Sequence, residues 1–480
     1  MNRKRIFQAI SISRPANILM SAVLYSIYTA YFLINTRYNL EKLKRPDTYN
    51  EPKANISSNF NQQGHPYLSE PIITVTPHYN NKEMKWNEIA NPPLPWYFKD
   101  GTIKPTKARL FPSRPGLKLS QVWPEEQNIN DDRVEEQLMF VPPHYDHNNA
   151  PIKSILLYNN VNEWMVDSGQ NEFISKDCPV NRCAITTNKS KSSNIDSILF
   201  RNEFSHPGHK KTNKQIWILF VVKSAYYTDL NVNHELINWT ATYRHDSDIV
   251  TPFQRWAYYD PLITQAEQFN RNYALNKTKQ VAMMVSDCNT DNERELLYAR
   301  ELQKYIPVDV YSDCNELKNI ESNTFLQMLD QDYKFYLAFE NSNCIDYVTE
   351  KFFVNGLQSN VLPVVMGGRL EDYERMAPRR SYLHVDDYES PEKLAEYLRL
   401  LDADDDLYNE YFRWKGTGEF IDTKFFCRLC AMLHDDGAPP KTYRDLDRWW
   451  RGPGVCIDRG PEIPTQLPPP PIADNDREEQ

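Results

Sequence analysis

Three signatures are missing from this chain, and each absence closes off a class of function. There is no surplus of basic residues: the formal net charge is −10, so the positive face of a nucleic-acid binder is not expected. No G-x-G-x-x-G and no Walker A sequence occurs, which disfavours a standard dinucleotide or ATP site. The C-x-x-C spacing at Cys427 and Cys430 stands alone, without a second such pair or a matching histidine pair. Disulfides are therefore expected there, in preference to zinc or redox chemistry. No internal repeat at a fixed period is apparent.

The 480 residues suffice for about two or three domains. Hydrophobic residues make up 40% and aromatics 12%, enough for a large core, so wholesale disorder is excluded. Residues 16–34, "ANILMSAVLYSIYTAYFLI", carry no charge, and about 20 such residues span a bilayer core. Arg3, Lys4, Arg5 and Arg14 precede them, so the positive-inside rule keeps residues 1–15 cytosolic and sends the rest across. A cleaved signal peptide is the rival, but the run is long and "YTAYF" makes a poor cleavage site. We expect a signal-anchor with an oxidising lumen beyond it. The eight cysteines (Cys178, Cys183, Cys288, Cys314, Cys344, Cys427, Cys430 and Cys456) agree. So do four N-x-S/T sequons, at Asn55, Asn188, Asn238 and Asn276, read as N-glycosylation acceptors.

Residues 35–150 are rich in Pro, Asn, Tyr and charge, as in "NPPLPWYF" and "FVPPHYDHNN", and read as a stem with patches of local structure. Short apolar runs at "IKSILLYNN" (152–160) and "QIWILFVV" (215–222) predict buried parallel strands in a first α/β domain, 151–275. "TKQVAMMVSD" (278–287) opens a second, 276–426, in which the helical "NERELLYARELQKY" leads to the strand "VDVYS". Strands alternating with helices imply a doubly wound sheet. "SPEKLAEYLRLLD" predicts a helix with Ser390 as N-cap and Pro391 at its first position. Residues 427–460 form a cysteine-bearing C-terminal segment, and the Pro-rich, charged 461–480 is expected to be unordered.

Between strands at 334–340 and 361–366 the pattern predicts a helix over 347–359 with Asp346 as its N-cap. This βαβ unit should have a right-handed crossover. Its first turn holds Glu350 and Lys351. Free N–H groups and a partial positive charge suit Glu350, but not Lys351 unless an anion sits in front. The loop "ENSNCID" (340–346) lies at the carboxyl end of its strand, where open α/β sheets bind ligands. On residue types alone, an ordinary surface Glu–Lys pair is the plainer reading. After the same domain's first strand, Ser286 lies in the turn and Arg294 follows eight residues later. Two cations on separate βα loops can clamp a diphosphate, Arg by a fork and Lys as a point charge. Asn341, Tyr336 and Tyr347 then remain to hydrogen-bond a sugar or stack on a base, or are plain strand-end residues.

"FYLAFENSNCIDYVTEKFF", with "LPVVMGG" and "SYLHVDDYESPEKLAEYL" after it, strongly resembles the α1,3-fucosyltransferase family that uses GDP-fucose. "CPVNRCAITTN", "INWTATYRHDSDIVTPF", "ELQKYIPVDVY" and "FFCRLCAMLHD" are similar to the same family, its invertebrate members (some acting on N-glycan cores) most of all. The resemblance covers roughly residues 150–457, and E-N-S-x4-Y-V-T-E-K is a highly specific spacing. It implies a GT-B type α/β fold of two Rossmann-like domains behind an N-terminal transmembrane helix and stem. It implies GDP-fucose in the C-terminal domain, a GlcNAc-containing acceptor such as an N-glycan on the N-terminal one, and a Golgi address. Arg294 and Lys351 would neutralise the diphosphate, Asn341, Tyr347 and Glu350 would contact sugar and phosphates, and Tyr336 and Ser286 would line the nucleotide pocket. The family also implies disulfides joining Cys178 and Cys183 to Cys427 and Cys430.

Inverting fucosyl transfer requires charge stabilisation of the leaving GDP, a base for the acceptor hydroxyl and support for an oxocarbenium-like sugar. Asp246 and Asp248 in "RHDSD" and the run Asp404–Asp406 are the Asp-x-Asp candidates for a metal. The first belongs to the family's "YRxDSD" text and the second reads as a solvated helix end. No metal is expected to be required, with a divalent cation at most stimulatory. The family typically has Glu-Ser-Pro after the strand matching "QIWILFVV", whereas this chain has Lys223-Ser224-Ala225. A lysine accepts a proton there only if burial neutralises it. Asp229 or Glu235 could substitute, or the protein could be a donor-binding pseudoenzyme or accessory glycan-binding partner. A homodimer through the stem is compatible with the sequence.

Overall fold

The computed structural model describes residues 93–105, 122–124, 132–230, 232, 235–267, 271–285, 293–312, 318–319 and 322–457. All of these belong to one compact unit, Lys85–Gln480. The apolar segment 16–34, Asn55, Ser286, Cys288, Cys314 and the tail 461–480 lie outside the described residues. Among the described residues no helix is long and apolar enough to cross a membrane.

Two all-parallel sheets organise the chain. The first contains β1 (Lys153–Leu157), β2 (Cys183–Thr186), β3 (Ser197–Arg201), β4 (Ile216–Val221) and β5 (Trp239–Thr242), in the order β2-β1-β3-β4-β5. After β6 (Arg255–Tyr258) comes the second sheet. Its strands are β7 (Lys279–Val285), β8 (Val308–Ser312), β9 (Lys318–Asn319), β10 (Tyr333–Phe339), β11 (Leu362–Met366) and β12 (Leu383–His384). Their order is β12-β11-β10-β7-β8-β9. A short antiparallel ribbon pairs β6 with β13 (Gly418–Ile421). Both faces of each sheet are covered, and β10 is buried at every residue, which is why parallel strands read as unbroken apolar runs. Leu302 and Ala299 of the Glu293–Leu302 helix enter the core with Tyr298. Ser390 caps the Pro391–Ala403 helix through a bond from Lys393 N, 3.3 Å.

Three sequence expectations are corrected. Within the supposed stem, the described residues 93–105, 122–124 and 132–150 are not a loose connector. Trp96, Tyr97, Phe98, Trp123, Leu138 and Phe140 are built into the first sheet's core. Gln137 Nε2 donates to Val122 O (2.9 Å) and Asp248 O (2.8 Å), and Trp96 Nε1 to Leu138 O (2.9 Å). The apolar residues dock in short irregular clusters among prolines, so no periodicity announces them. The Phe425–Leu433 helix straddles the expected boundary at 426/427 and packs into that same core, with Cys427 and Cys430 bridged to Cys178 and Cys183 as the resemblance implied.

The helix expected over 347–359 runs instead as Lys351–Gln358, with wider π-type turns and Glu350 at its N-cap. Asp346 is not its cap. It sits in left-handed backbone (φ 58°) with its carboxylate turned inward.

Candidate active site

From β7 the second sheet grows outward through β8 and β9, then the chain returns to lay β10, β11 and β12 on β7's other side. β7 and β10 therefore flank the point where strand order reverses, and their carboxyl ends open a crevice for ligand. The helix after β7 starts at Glu293, and the one after β10 starts at Lys351. Lys351 Nζ donates to the carbonyl of Phe339, the last residue of β10, at 2.8 Å. It also lies 3.9 Å from Glu295 in the first turn of the neighbouring helix. The two helix starts thus meet across the switch point with an ammonium between them.

Two buried carboxyls adjoin that ammonium. Burial pushes Glu295 up to about 7, against the lowering influence of Lys351. Glu340, the first residue past β10, is pushed by burial up to about 8, with Lys351 again opposing. Its oxygens accept from Thr349 N (2.7 Å) and Thr349 Oγ1 (2.8 Å), which fixes the turn into the helix. Gly367 makes room for it: its φ is +146°, and a Cβ there would come within 2.5 Å of Glu340 Cβ. With burial opposing their ionisation, these carboxyls compete less strongly with an anion for the ammonium's charge.

The residues expected to bind the donor fall into three groups. Lys351, Glu350, Asn341 and Tyr347 lie on the loop and helix start after β10, and Arg294 lies beside Glu295 in the first turn after β7. Glu350 and Arg294 are exposed, and Asn341 is half-buried. Tyr347 is 8% exposed and packs edge-on against Tyr243, centroids 5.2 Å apart; burial raises its phenol pKa. Tyr336 does not line an open pocket. It is a fully buried mid-β10 residue whose hydroxyl accepts from Asn355 Nδ2 at 3.3 Å. Ser286 lies outside the described residues.

The loop following β4 meets the loop following β10. Ser224 Oγ and Ser342 Oγ are 2.6 Å apart, and Tyr227 Oη donates to Asn341 O at 3.2 Å. Lys223 is exposed at this junction, so the burial on which proton acceptance depended is not provided. Asp229 is paired with Arg451 at 3.2 Å, and Glu235 is exposed in left-handed backbone, φ 62°. Behind the junction, Asp346 accepts bonds from His245 N (2.8 Å), His245 Nδ1 and Arg375. Burial works against its charge, but the His245 bonds and Arg375 hold it below the usual carboxylate range.

The aspartates considered for metal have other duties. Asp246 is bound by Arg244 and Trp449 Nε1, and fully buried Asp248 accepts from Thr240 N (2.8 Å), Lys441 Nζ (2.8 Å) and Tyr443 Oη (2.9 Å). Asp404 caps the helix beginning at Asp405, and Asp405 faces Lys334 at 3.4 Å. Among the described residues one cluster has metal-ligand proximity, Cys183, Cys430 and His434, and its two sulfurs are bonded to each other. The second disulfide of this region joins Cys178 to Cys427, and a third joins Cys344 to Cys456. That third bridge ties the 340–346 loop to the chain's C-terminal part, a link with no sequence cue beyond cysteine count. Glu295, Glu340 and Thr349 were also missed. Acidic residues near helix starts read as surface, and only the strand order reveals that these are enclosed.

The family profile "Glycosyltransferase family 10 (fucosyltransferase) C-term" matches residues 274–449, and "Fucosyltransferase, N-terminal" matches 150–254. Glycoprotein 3-alpha-L-fucosyltransferase A of Drosophila melanogaster is 48% identical over 389 residues, covering 78% of this chain and 77% of that one. Alpha-(1,3)-fucosyltransferase C of the same fly is 35% identical over 301 residues, 57% of this chain and 70% of its own length. The crystal structure of an alpha1,3-fucosyltransferase with GDP-fucose aligns over 66% of this chain and 99% of its own at 16% identity, TM-score 0.42.

Proposed function

Because the chain belongs to glycosyltransferase family 10, the fucosyltransferases, and is thereby a glycosyltransferase, we propose that it transfers L-fucose from GDP-β-L-fucose, with inversion, to the 3-hydroxyl of an N-acetylglucosamine in glycoprotein glycans. The name of the 48%-identical fly relative supports the glycoprotein acceptor and the 3-linkage. One observation carries the donor assignment: the Lys351 ammonium, 2.8 Å from the last carbonyl of β10 and 3.9 Å from Glu295, at the sheet's switch point. A pyrophosphate seated there gains the ammonium and two helix starts, and Arg294 joins from the first turn after β7. Asn341, Tyr347 and Glu350 take the sugar and phosphate oxygens, and Ser286 takes the nucleotide. The two sheets are then the halves of a GT-B enzyme, donor on the second and acceptor on the first.

In this reading, positive charge at the switch point stabilises departing GDP without a required metal, a divalent cation being at most stimulatory. The acceptor hydroxyl's proton goes to a carboxylate elsewhere in the chain, since the family's base position holds Lys223. Residues 16–34 anchor the chain as a single-pass type II protein of the Golgi membrane, with 35–92 as the connecting stem. A second reading is favoured by the exposed Lys223 at the family's base position: a partner that binds donor and glycan without transfer. Incubation with fucose-labelled GDP-fucose and a panel of N-glycan-core and N-acetyllactosamine acceptors separates the two. Acceptor-dependent GDP release with label on the glycan supports transfer. Donor binding with no transfer to any acceptor supports the partner.

A further inference from the structure

Tyr226 and Tyr227 are 52% and 44% exposed, yet the loop that bears them is held on every side. Ser224 Oγ accepts from Tyr226 N at 3.1 Å, Ala225 N donates to Tyr243 Oη at 3.0 Å, and Thr228 Oγ1 donates to Ser224 O at 2.8 Å. The two rings brace one another edge to face, centroids 5.0 Å apart. Large rings fixed in water lose little conformational entropy when something seats on them, which is the economy of a binding surface. This loop leaves the carboxyl end of β4, the end at which open α/β sheets meet their ligands. It is joined to the donor loop by the Ser224–Ser342 and Tyr227–Asn341 bonds. None of the donor-side roles uses either ring.

We propose that the face of Tyr226, braced by Tyr227, forms the platform on which the acceptor's N-acetylglucosamine stacks, turning its 3-hydroxyl toward the donor loop. The proposal rests on the transfer reading above and names the acceptor subsite of that reaction. N-acetylglucosamine in its chair carries every ring substituent equatorially, so axial C–H groups line both ring faces and seat on an aromatic face. The equatorial hydroxyls project at the rim, where exposed Lys223, three residues before Tyr226 in the same loop, offers a donor.

The test compares the full chain with Tyr226→Ala and Tyr226→Trp in steady-state transfer, varying donor and acceptor separately. Tyr226→Ala is expected to raise the acceptor KM about tenfold, equivalent to about 1.4 kcal/mol, while GDP-fucose affinity stays within about twofold. Tyr226→Trp, which keeps an aromatic face, is expected to retain the wild-type acceptor KM. An unchanged acceptor KM in Tyr226→Ala, or a donor KM rising in step, overturns the platform. If the wild type transfers nothing, saturation-transfer NMR of an N-glycan-core oligosaccharide with the same variants decides. Glycan binding abolished by Tyr226→Ala keeps the platform and sinks the transfer reading. No binding, or equal binding by all three proteins, sinks the platform itself.

Discussion

Replacing Lys351 by Met removes the ammonium at the switch point while keeping most of the side chain's volume. Two unit charges about 4 Å apart attract by about 4 kcal/mol at an effective dielectric of about 20. Lys351 retains 17% exposure, so solvent screens it only partly. Its own desolvation and competition from Glu295 reduce the net loss to about 2–3 kcal/mol, roughly 30- to 150-fold in GDP-fucose Kd. The substitution also strips Glu295 of its nearest cation, but a carboxyl already pushed up to about 7 can take a proton and stay buried neutral. Titration calorimetry with GDP reads the affinity, and thermal melting reads the fold. The double variant Lys351→Met, Glu295→Gln should melt close to wild type and still bind GDP weakly. A folded Lys351→Met that binds GDP within about threefold of wild type refutes the anion site.

Glu340 is pushed up to about 8 from an ordinary 4.5, so between those values the folded chain holds a proton that the unfolded chain has released. Its contribution to stability is therefore full below about 4.5 and lost as pH rises through about 8. The Tm of wild type relative to Glu340→Gln should fall by several degrees between pH 6 and 9. The difference isolates this group from Lys277 and Lys415, whose ammonium groups burial pushes down to about 7 with the opposite slope. A parallel pair of Tm curves removes the assignment. For glycosylation, Asn238 Oδ1 accepts from Trp217 N (2.9 Å) and its Nδ2 donates to Lys441 O (3.0 Å), whereas Asn188 and Asn276 are exposed. Peptide mass spectrometry should find glycans at Asn188 and Asn276 and none at Asn238. Asn238→Ala should cost about 2 kcal/mol for its two bonds, and a glycosylated Asn238 contradicts the packing. Finally, Lys223→Glu is expected to raise kcat by up to about 100-fold if a base is what the chain lacks. Unchanged kcat beside strong wild-type turnover locates the base elsewhere.

The parts legible in the sequence were those where local pattern and global packing agree. β4 and β10 are covered on both faces, so their apolar runs are continuous, and Ser390-Pro391 announces its helix by local capping chemistry alone. Asp346 looked equally local and was not. Its carboxylate is claimed by His245, 101 residues earlier in the chain, and by Arg375, and the helix start moves to Glu350 and Lys351 in consequence. Glu295 illustrates the same limit. It takes the inward position of its helix with Tyr298, Ala299 and Leu302, a place that an apolar residue would ordinarily fill. Nothing within the helix tells it from a surface glutamate. What encloses it is the reversal of strand order, set by pairings between segments far apart. The described residues among 93–150 were misread for another reason, since short irregular apolar clusters among prolines leave no period to detect.

The Cys344–Cys456 bridge has a bearing on how the molecule matures. It spans 112 residues, and beside it Ile345 N donates to Val455 O (2.9 Å) and Ile457 N to Asn343 O (2.8 Å). The 340–346 loop is thus one rung of a ladder whose other rung lies 112 residues further along the chain. A nascent chain cannot close that rung before residue 456 has emerged and met an oxidant, so the loop should take its final shape only together with oxidation.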